Sequence, residues 1–198
     1  WNADAQNVGD IKCYRTGTEI IIAGNGAGKI KANENSSYMF SIANDTKNAF
    51  AAVTAIDNLN ILDTSNVVNM NYMFANCKKL VNLNLDEFST NKVTNMAYMF
   101  NNCASLESLE LSKFDTKSAT TLQSMFNGCA GLKKLDLSGF DTKNVTSMGA
   151  MFQSCKSLTH LDLSGFDTSN IKYMNATFYG CSSLTDVKLS NFDTSKVI

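Results

Sequence analysis

Apolar positions recur along most of this chain at a fixed interval of 26 residues, without insertion or deletion. The repeating blocks are Asp63–Phe88, Ser89–Phe114, Asp115–Phe140, Asp141–Phe166 and Asp167–Phe192. A sixth opens at Asp193 and stops after Val197–Ile198, which predicts an excised fragment of a longer protein. A fixed period of this length marks a supersecondary unit that cannot bury its apolar face alone, so neighbouring units must stack.

Within a block three segments alternate. The first is LxxLxL, as in Leu132, Leu135 and Leu137 or Leu158, Leu161 and Leu163. Its last two apolar positions flank a polar one, the period of a short half-buried strand, and stacked copies predict a parallel sheet. The second is a turn. A closing Phe (88, 114, 140, 166, 192) is followed by Asp-Thr, with Ser89-Thr90 as the variant. Short polar side chains here can accept from backbone N–H groups two residues on and can cap a helix start. The third is VxxMxxMFxxC, as in Val145, Met148, Met151, Phe152 and Cys155. Those offsets lie on one helical face and predict a helix of about two turns ending before the cysteine. The residue before each cysteine is Asn76, Asn102, Gly128, Ser154 or Gly180, and Asn or Gly suits a left-handed C-terminal position.

The start of the chain differs. Thr16-Gly17-Thr18 between two apolar runs predicts a β-hairpin. Tyr38-Met39-Phe40 echoes Tyr72-Met73-Phe74 at a spacing of 34 rather than 26. The expected organisation is therefore an N-terminal cap over residues 1–62 (hairpin plus atypical first repeat) and one continuous solenoid domain over 63–198. The expected fold is an α/β repeat: a right-handed leucine-rich-repeat-like solenoid with a short-stranded parallel sheet and a helical convex side.

Composition narrows the function classes. Lys and Arg total 17 against 18 Asp and Glu, and Arg15 is the single arginine. The repeats thus lack guanidinium forks for phosphate or base recognition, which argues against nucleic acid as a partner. No run of 18 apolar residues occurs, so no membrane insertion by this segment is expected. Trp1 opens the chain without a charged and then apolar leader, so no signal peptide is read in it.

The blocks resemble the 26-residue repeat of BspA-like leucine-rich-repeat surface proteins and lipoproteins of bacteria. The shared signature is FDTSNVTNMxxMFxxCxxLxxLDLSGF, which appears from Phe140 to Phe166 as FDTKNVTSMGAMFQSCKSLTHLDLSGF. The likeness covers about residues 63–198, and GTEIIIAGNGAGKI looks like the hairpin that often precedes such arrays. It implies an extracellular or cell-surface location, and adhesion to a host protein or glycan as the work of the members whose role is known. It carries no catalytic residues. Ala119, Leu122 and Thr177 depart from the pattern by small or apolar exchanges.

Candidate chemistry is sparse. Cys77, Cys103, Cys129, Cys155 and Cys181 stand 26 apart, with no CxxC or HxxxH pair. That spacing fits neither a metal site nor bridges, and predicts a buried column of free thiols. Cys13 lies outside the column and is read as a hairpin core residue. Residues 23–30, AGNGAGKI, fail both the phosphate-loop and the dinucleotide patterns and read as a turn. His160 is the only histidine and has no matched nucleophile, so neither an enzyme nor a cofactor is expected. The exposed strand positions hold more information. One row runs Asn84, Glu110, Asp136, Asp162, Lys188, and the row two residues earlier includes Ser108, Lys134, His160 and Asp186. Glu110, Asp136 and Asp162 stacked at strand spacing would repel one another. These nine residues are the expected partner-binding strip on a concave sheet face, in a non-enzymatic binding or adhesion module. The alternative is a structural spacer that displays another part of a larger surface protein. Oligomeric state and partner identity are not legible.

Overall fold

The structure, a computed structural model, describes residues 12–23, 28–41 and 50–198. At its start β1 (Lys12–Thr16) and β2 (Glu19–Ala23) form an antiparallel hairpin, with Gly17 in the left-handed region at φ 64°. Only glycine takes that conformation without steric cost. Parallel pairing then joins β2 to β4 (Ala55–Asp57) and β3 (Ile30–Lys31) to β5 (Leu62–Asp63), with a short 3-10 turn at Leu59–Ile61. The side chain of Cys13, the 24–27 part of the glycine-rich turn and residues 42–49 lie outside the described residues.

Beyond Asp63 the expected α/β solenoid with a helical convex side is overturned. No α-helix occurs among the described residues, and the repeats contain one two-stranded pair, β6 (His160–Asp162) with β7 (Asp186–Lys188). The reason lies in the backbone of the VxxMxxMFxxC segment. Each block turns left-handed twice there, at Tyr72 and Asn76 (φ 56° and 63°), Tyr98 and Asn102, Ser124 and Gly128, Ala150 and Ser154, and Ala176 and Gly180. A right-handed helix cannot run through such residues. Tight turns replace it: Met73 N–H donates to Met70 O, Ala75 to Tyr72 O, and Cys77 to Phe74 O. The intervening N–H groups point sideways instead. Those of Met70, Tyr72, Phe74 and Asn76 donate to the carbonyls of Asn95, Ala97, Met99 and Asn101 in the next block, at 2.7–3.0 Å. Later blocks repeat this rung for rung, with isolated parallel bridges at Asn69, Asn95, Thr121, Ser147 and Tyr173.

The expected parallel sheet along LxxLxL is also mostly absent. In the second and third blocks one lateral bond, Lys133 N–H to Glu107 O at 3.0 Å, ties these segments, too few for a ladder. Their leucines still point inward, and Leu106, Leu109, Leu111, Leu132 and Leu137 are buried.

Like residues of successive blocks lie over one another. Phe40, Phe74, Phe100, Phe126, Phe152 and Phe178 stack at centroid separations of 5.2–5.9 Å with planes within 9°. Tyr38, Tyr72 and Tyr98 form a second stack at 4.7 and 4.4 Å, and partial burial, then the neighbouring Tyr98 and Tyr38 hydroxyls, push the Tyr72 hydroxyl up to about 12. The Tyr38–Phe40 echo thus sits beside Tyr72–Phe74 across the 34-residue interval. Ala119 and Leu122 are fully buried at the exchanged positions. Thr177, where other blocks have Met, satisfies its buried hydroxyl on the carbonyls of Met174 (2.5 Å) and Met148 (3.3 Å).

The Asp-Thr turn divides its labour. Asp63, Asp115, Asp141, Asp167 and Asp193 each accept from the backbone N–H two residues on, at 2.8–3.1 Å. The threonine is buried and reaches the neighbouring block. Thr64, Thr90, Thr116, Thr142 and Thr168 donate their hydroxyls to the carbonyl 25 residues on, at 2.9–3.0 Å.

These aspartates set an acid limit. The residue two places on holds the carboxyls of Asp63, Asp115, Asp167 and Asp193 below the usual range, through side-chain and backbone hydrogen bonds. A carboxyl depressed by folding stabilises the native state above its unfolded value near 4, and that gain is lost as pH falls through the folded value. The thermal midpoint, followed by circular dichroism, is expected to be level above about pH 5 and to fall steadily below about pH 4. A midpoint that rises on acidification would contradict this assignment.

Candidate functional site

All nine residues of the expected strip are exposed. The structure brings four of them into direct contact on β6 and β7, where parallel pairing sets His160 opposite Asp186 and Asp162 opposite Lys188. Nδ1 of His160 is 2.7 Å from Oδ2 of Asp186, and Nζ of Lys188 is 3.1 Å from Oδ2 of Asp162. An ionised carboxylate only accepts, so Nδ1 carries the proton of that bond. Opposite charges therefore face each other at Asp162 and Lys188, and the repulsion expected at Asp162 is relieved by the following block.

The carboxylates of this row have a second task that single-row reasoning missed. Asp162 accepts from both the N–H and the hydroxyl of Ser164, at 3.0 and 2.6 Å. Those two bonds, with Lys188 next, hold its carboxyl far below the usual range. Asp136 accepts from Ser138 N–H at 2.9 Å, which likewise lowers it, and Asn84 accepts from Asp86 N–H at 2.9 Å. Three of the five positions in the row thus close the same small side-chain turn. The signal was available: Asn and Asp recur there, and both favour such turns. A neighbouring pair, Lys133 with Glu107 at 2.7 Å, links adjacent blocks and was not foreseen. Ser108, Lys134 and Glu110 remain exposed on the same polar strip. The concave sheet expected to carry these residues is replaced by this lone strand pair and by blocks without strands.

The thiols lie on the inside. Cys77, Cys103, Cys129 and Cys155 are buried, Cys181 is half-buried, and all five are free. Each Sγ donates to a phenylalanine carbonyl of the preceding block, from Cys77 on Phe40 (3.3 Å) to Cys181 on Phe152 (2.9 Å). Burial pushes the Cys77 and Cys129 thiols up to about 12, so at neutral pH they are protonated hydrogen-bond donors, not nucleophiles. Among the described residues no three His, Cys, Asp or Glu side chains converge as a metal site would require, and no helix is long and apolar enough to cross a membrane.

One family profile fits this chain. It is described as "Mycoplasma protein of unknown function, DUF285", and it matches residues 44–160 and again 109–198. The chain belongs to this family. Two overlapping matches are what a sequence of constant period gives when it is laid against one profile in two frames. No curated protein and no solved structure matches this family member.

Proposed function

We propose that this DUF285 member is a non-enzymatic binding or adhesion module of the BspA-like kind, displayed at a bacterial cell surface as part of a secreted protein or lipoprotein. Its exposed polar strip would meet a host protein or glycan. The observation that carries this reading is the placement of charge. Glu110, Lys134, Asp136, Asp162, Asp186 and Lys188 are all exposed along neighbouring blocks, with both signs present and Asp162 paired to Lys188 across β6 and β7. Solvent-exposed ion pairs are worth about 0–1 kcal/mol each, so they open readily to exchange partners.

The test uses the turn that Asn84 makes. Asparagine at positions 136 and 162 keeps the bond to the N–H two residues on while removing the charge. The full chain is offered to an array of mammalian glycans and extracellular-matrix proteins, beside the triple variant Glu110→Asn, Asp136→Asn, Asp162→Asn. At least a tenfold loss of affinity with an unchanged melting midpoint supports the strip. Equal binding by both places the contact elsewhere. The spacer reading draws on the same strand pair, because its charges already satisfy one another within the chain. Binding to no member of either panel supports that reading.

A further inference from the structure

Tyr38, Tyr72 and Tyr98 take equivalent places in successive turns of the chain, each in the left-handed region, at φ 58°, 56° and 60°. An equal φ sends each Cα–Cβ bond the same way. Backbone bonds fix the spacing: Tyr38 N–H donates to Asn71 O, Tyr72 N–H to Ala97 O and Tyr98 N–H to Gln123 O, at 2.8–3.0 Å. The rings of Tyr72 and Tyr98 are therefore held face to face, with centroids 4.4 Å apart and planes 2° from parallel. Tyr38 stacks on Tyr72 in turn, at 4.7 Å and 7°. At the far end Gln123 Nε2 donates to the Tyr98 hydroxyl at 3.1 Å and fixes the place of that ring.

Two features separate this stack from the phenylalanine column. Phe74, Phe100 and Phe126 are fully buried, whereas Tyr38 is 36% exposed and Tyr72 and Tyr98 are half-buried, within reach of a small oxidant. A phenol also gives up an electron and a proton far more readily than a benzene ring does. The unpaired electron of the phenoxyl radical lies in the π system, with high density on the carbons ortho to oxygen. A new bond from those carbons forms along the normal to the ring, and parallel stacked faces present that orbital to each other. Holding two reacting groups in this geometry replaces a chance collision by a unimolecular step. The same place holds Ser124, Ala150 and Ala176 in the later blocks, so the chemistry is confined to the three tyrosines.

We propose that Tyr72 and Tyr98 are a site of oxidative cross-linking, with hydrogen peroxide acting through a haem peroxidase as the oxidant and a dityrosine bridge between the first and second blocks as the product. Each phenol loses one electron and one proton to give a phenoxyl radical. The two radicals join by a carbon–carbon bond between ortho positions. The hydrogen on each of those carbons is then exchanged for one on its own ring oxygen, which restores both phenols. The chain thus loses two electrons and two protons, and these reduce one hydrogen peroxide to two waters. The bridge adds a covalent tie where the two blocks are otherwise joined by hydrogen bonds and packing. It uses no residue of the charged strip, so the two proposals stand or fall apart.

The test treats the dilute full chain with a haem peroxidase and hydrogen peroxide, isolates the monomer and digests it with trypsin. Lys31, Lys47, Lys78, Lys92 and Lys113 place the three tyrosines in different tryptic peptides. The digest is reduced first, so that no bridge between Cys77 and Cys103 joins the same two peptides. The expected product is peptide 48–78 joined to peptide 93–113, two hydrogens lighter than their sum and with dityrosine fluorescence. Tyr72→Phe keeps the ring and removes the phenol, and its monomer should give at least tenfold less of that fluorescence, while Tyr38→Phe still forms the joined peptide. Coupling only between molecules, coupling only through Tyr173 or Tyr179, equal fluorescence in the Tyr72→Phe monomer, or no bridge while free tyrosine couples in the same solution would each overturn the proposal.

Discussion

Replacing Phe126 by alanine is expected to destabilise the protein by about 3–5 kcal/mol, the range for truncating a buried aromatic ring. Phe126 is fully buried and lies between Phe100 and Phe152, each 5.8 Å away with its ring plane nearly parallel. The cavity cannot close by local collapse, because the blocks on both sides are held by backbone bonds that fix their separation. Phe126 N–H donates to Met151 O and Phe100 N–H to Met125 O. Phe178→Ala removes the same ring from a position covered on one side only, and should cost clearly less, about 1–2 kcal/mol by halved burial. Urea titrations of the two variants make the comparison. Equal losses would show that the phenylalanine column is not the core.

The second large effect is expected at a hydroxyl. Thr90 is 1% exposed, accepts from Asp115 N–H at 2.8 Å and donates to Asp115 O at 3.0 Å. Thr90→Val keeps the shape and deletes both bonds, leaving a donor and an acceptor of the next block without partners. A buried unsatisfied group costs about 1–3 kcal/mol, and these two are part-buried, so a loss of about 2 kcal/mol is expected. Thr90→Ser retains the oxygen and gives up only a methyl group, a loss of about 1 kcal/mol. Should valine prove as stable as serine in the same titration, the inter-block role of the threonine column is wrong. Val93 and Phe114 beside it are apolar and buried, and neither can replace the lost partner.

How much of this was legible depends on whether a feature lives inside one block or between two. The 26-residue interval, the inward leucines and the left-handed Asn or Gly before Cys77, Cys103, Cys129 and Cys181 are properties of a single block. They could be read from residue type alone. The helix could not. Offsets of three, three, one and three place Val145, Met148, Met151, Phe152 and Cys155 on one side of a helix, and they do the same for consecutive tight turns. What separates the two is the second left-handed residue, occupied by Tyr72, Tyr98, Ser124, Ala150 and Ala176. None of these is glycine or asparagine, so the side chains carry no mark of that conformation. Neighbouring blocks impose it by taking the N–H groups that a helix would use internally.

The threonines were misread for a related reason. Beside Asp they look like local turn residues, and the aspartates are. The hydroxyls instead bond 25 residues away. In the candidate strip, exposure followed from the alternation of Leu with polar residues. The partnering of Asp162 with Lys188 and of His160 with Asp186 came only once the register of β6 on β7 was known. Their positions were plain in the sequence, and their neighbours were not.

The lateral backbone bonds of an inner block run only to the block before it and the block after it, about 25–27 residues along the chain. Among the described residues no hydrogen bond ties distant blocks together. Pulled by its two ends, such an array has no shared clasp to break and should yield serially. Every event releases 26 residues, a gain in length of roughly 90 Å at full extension. The chain is built to give way in equal instalments under load, each of which can re-form on the template left behind.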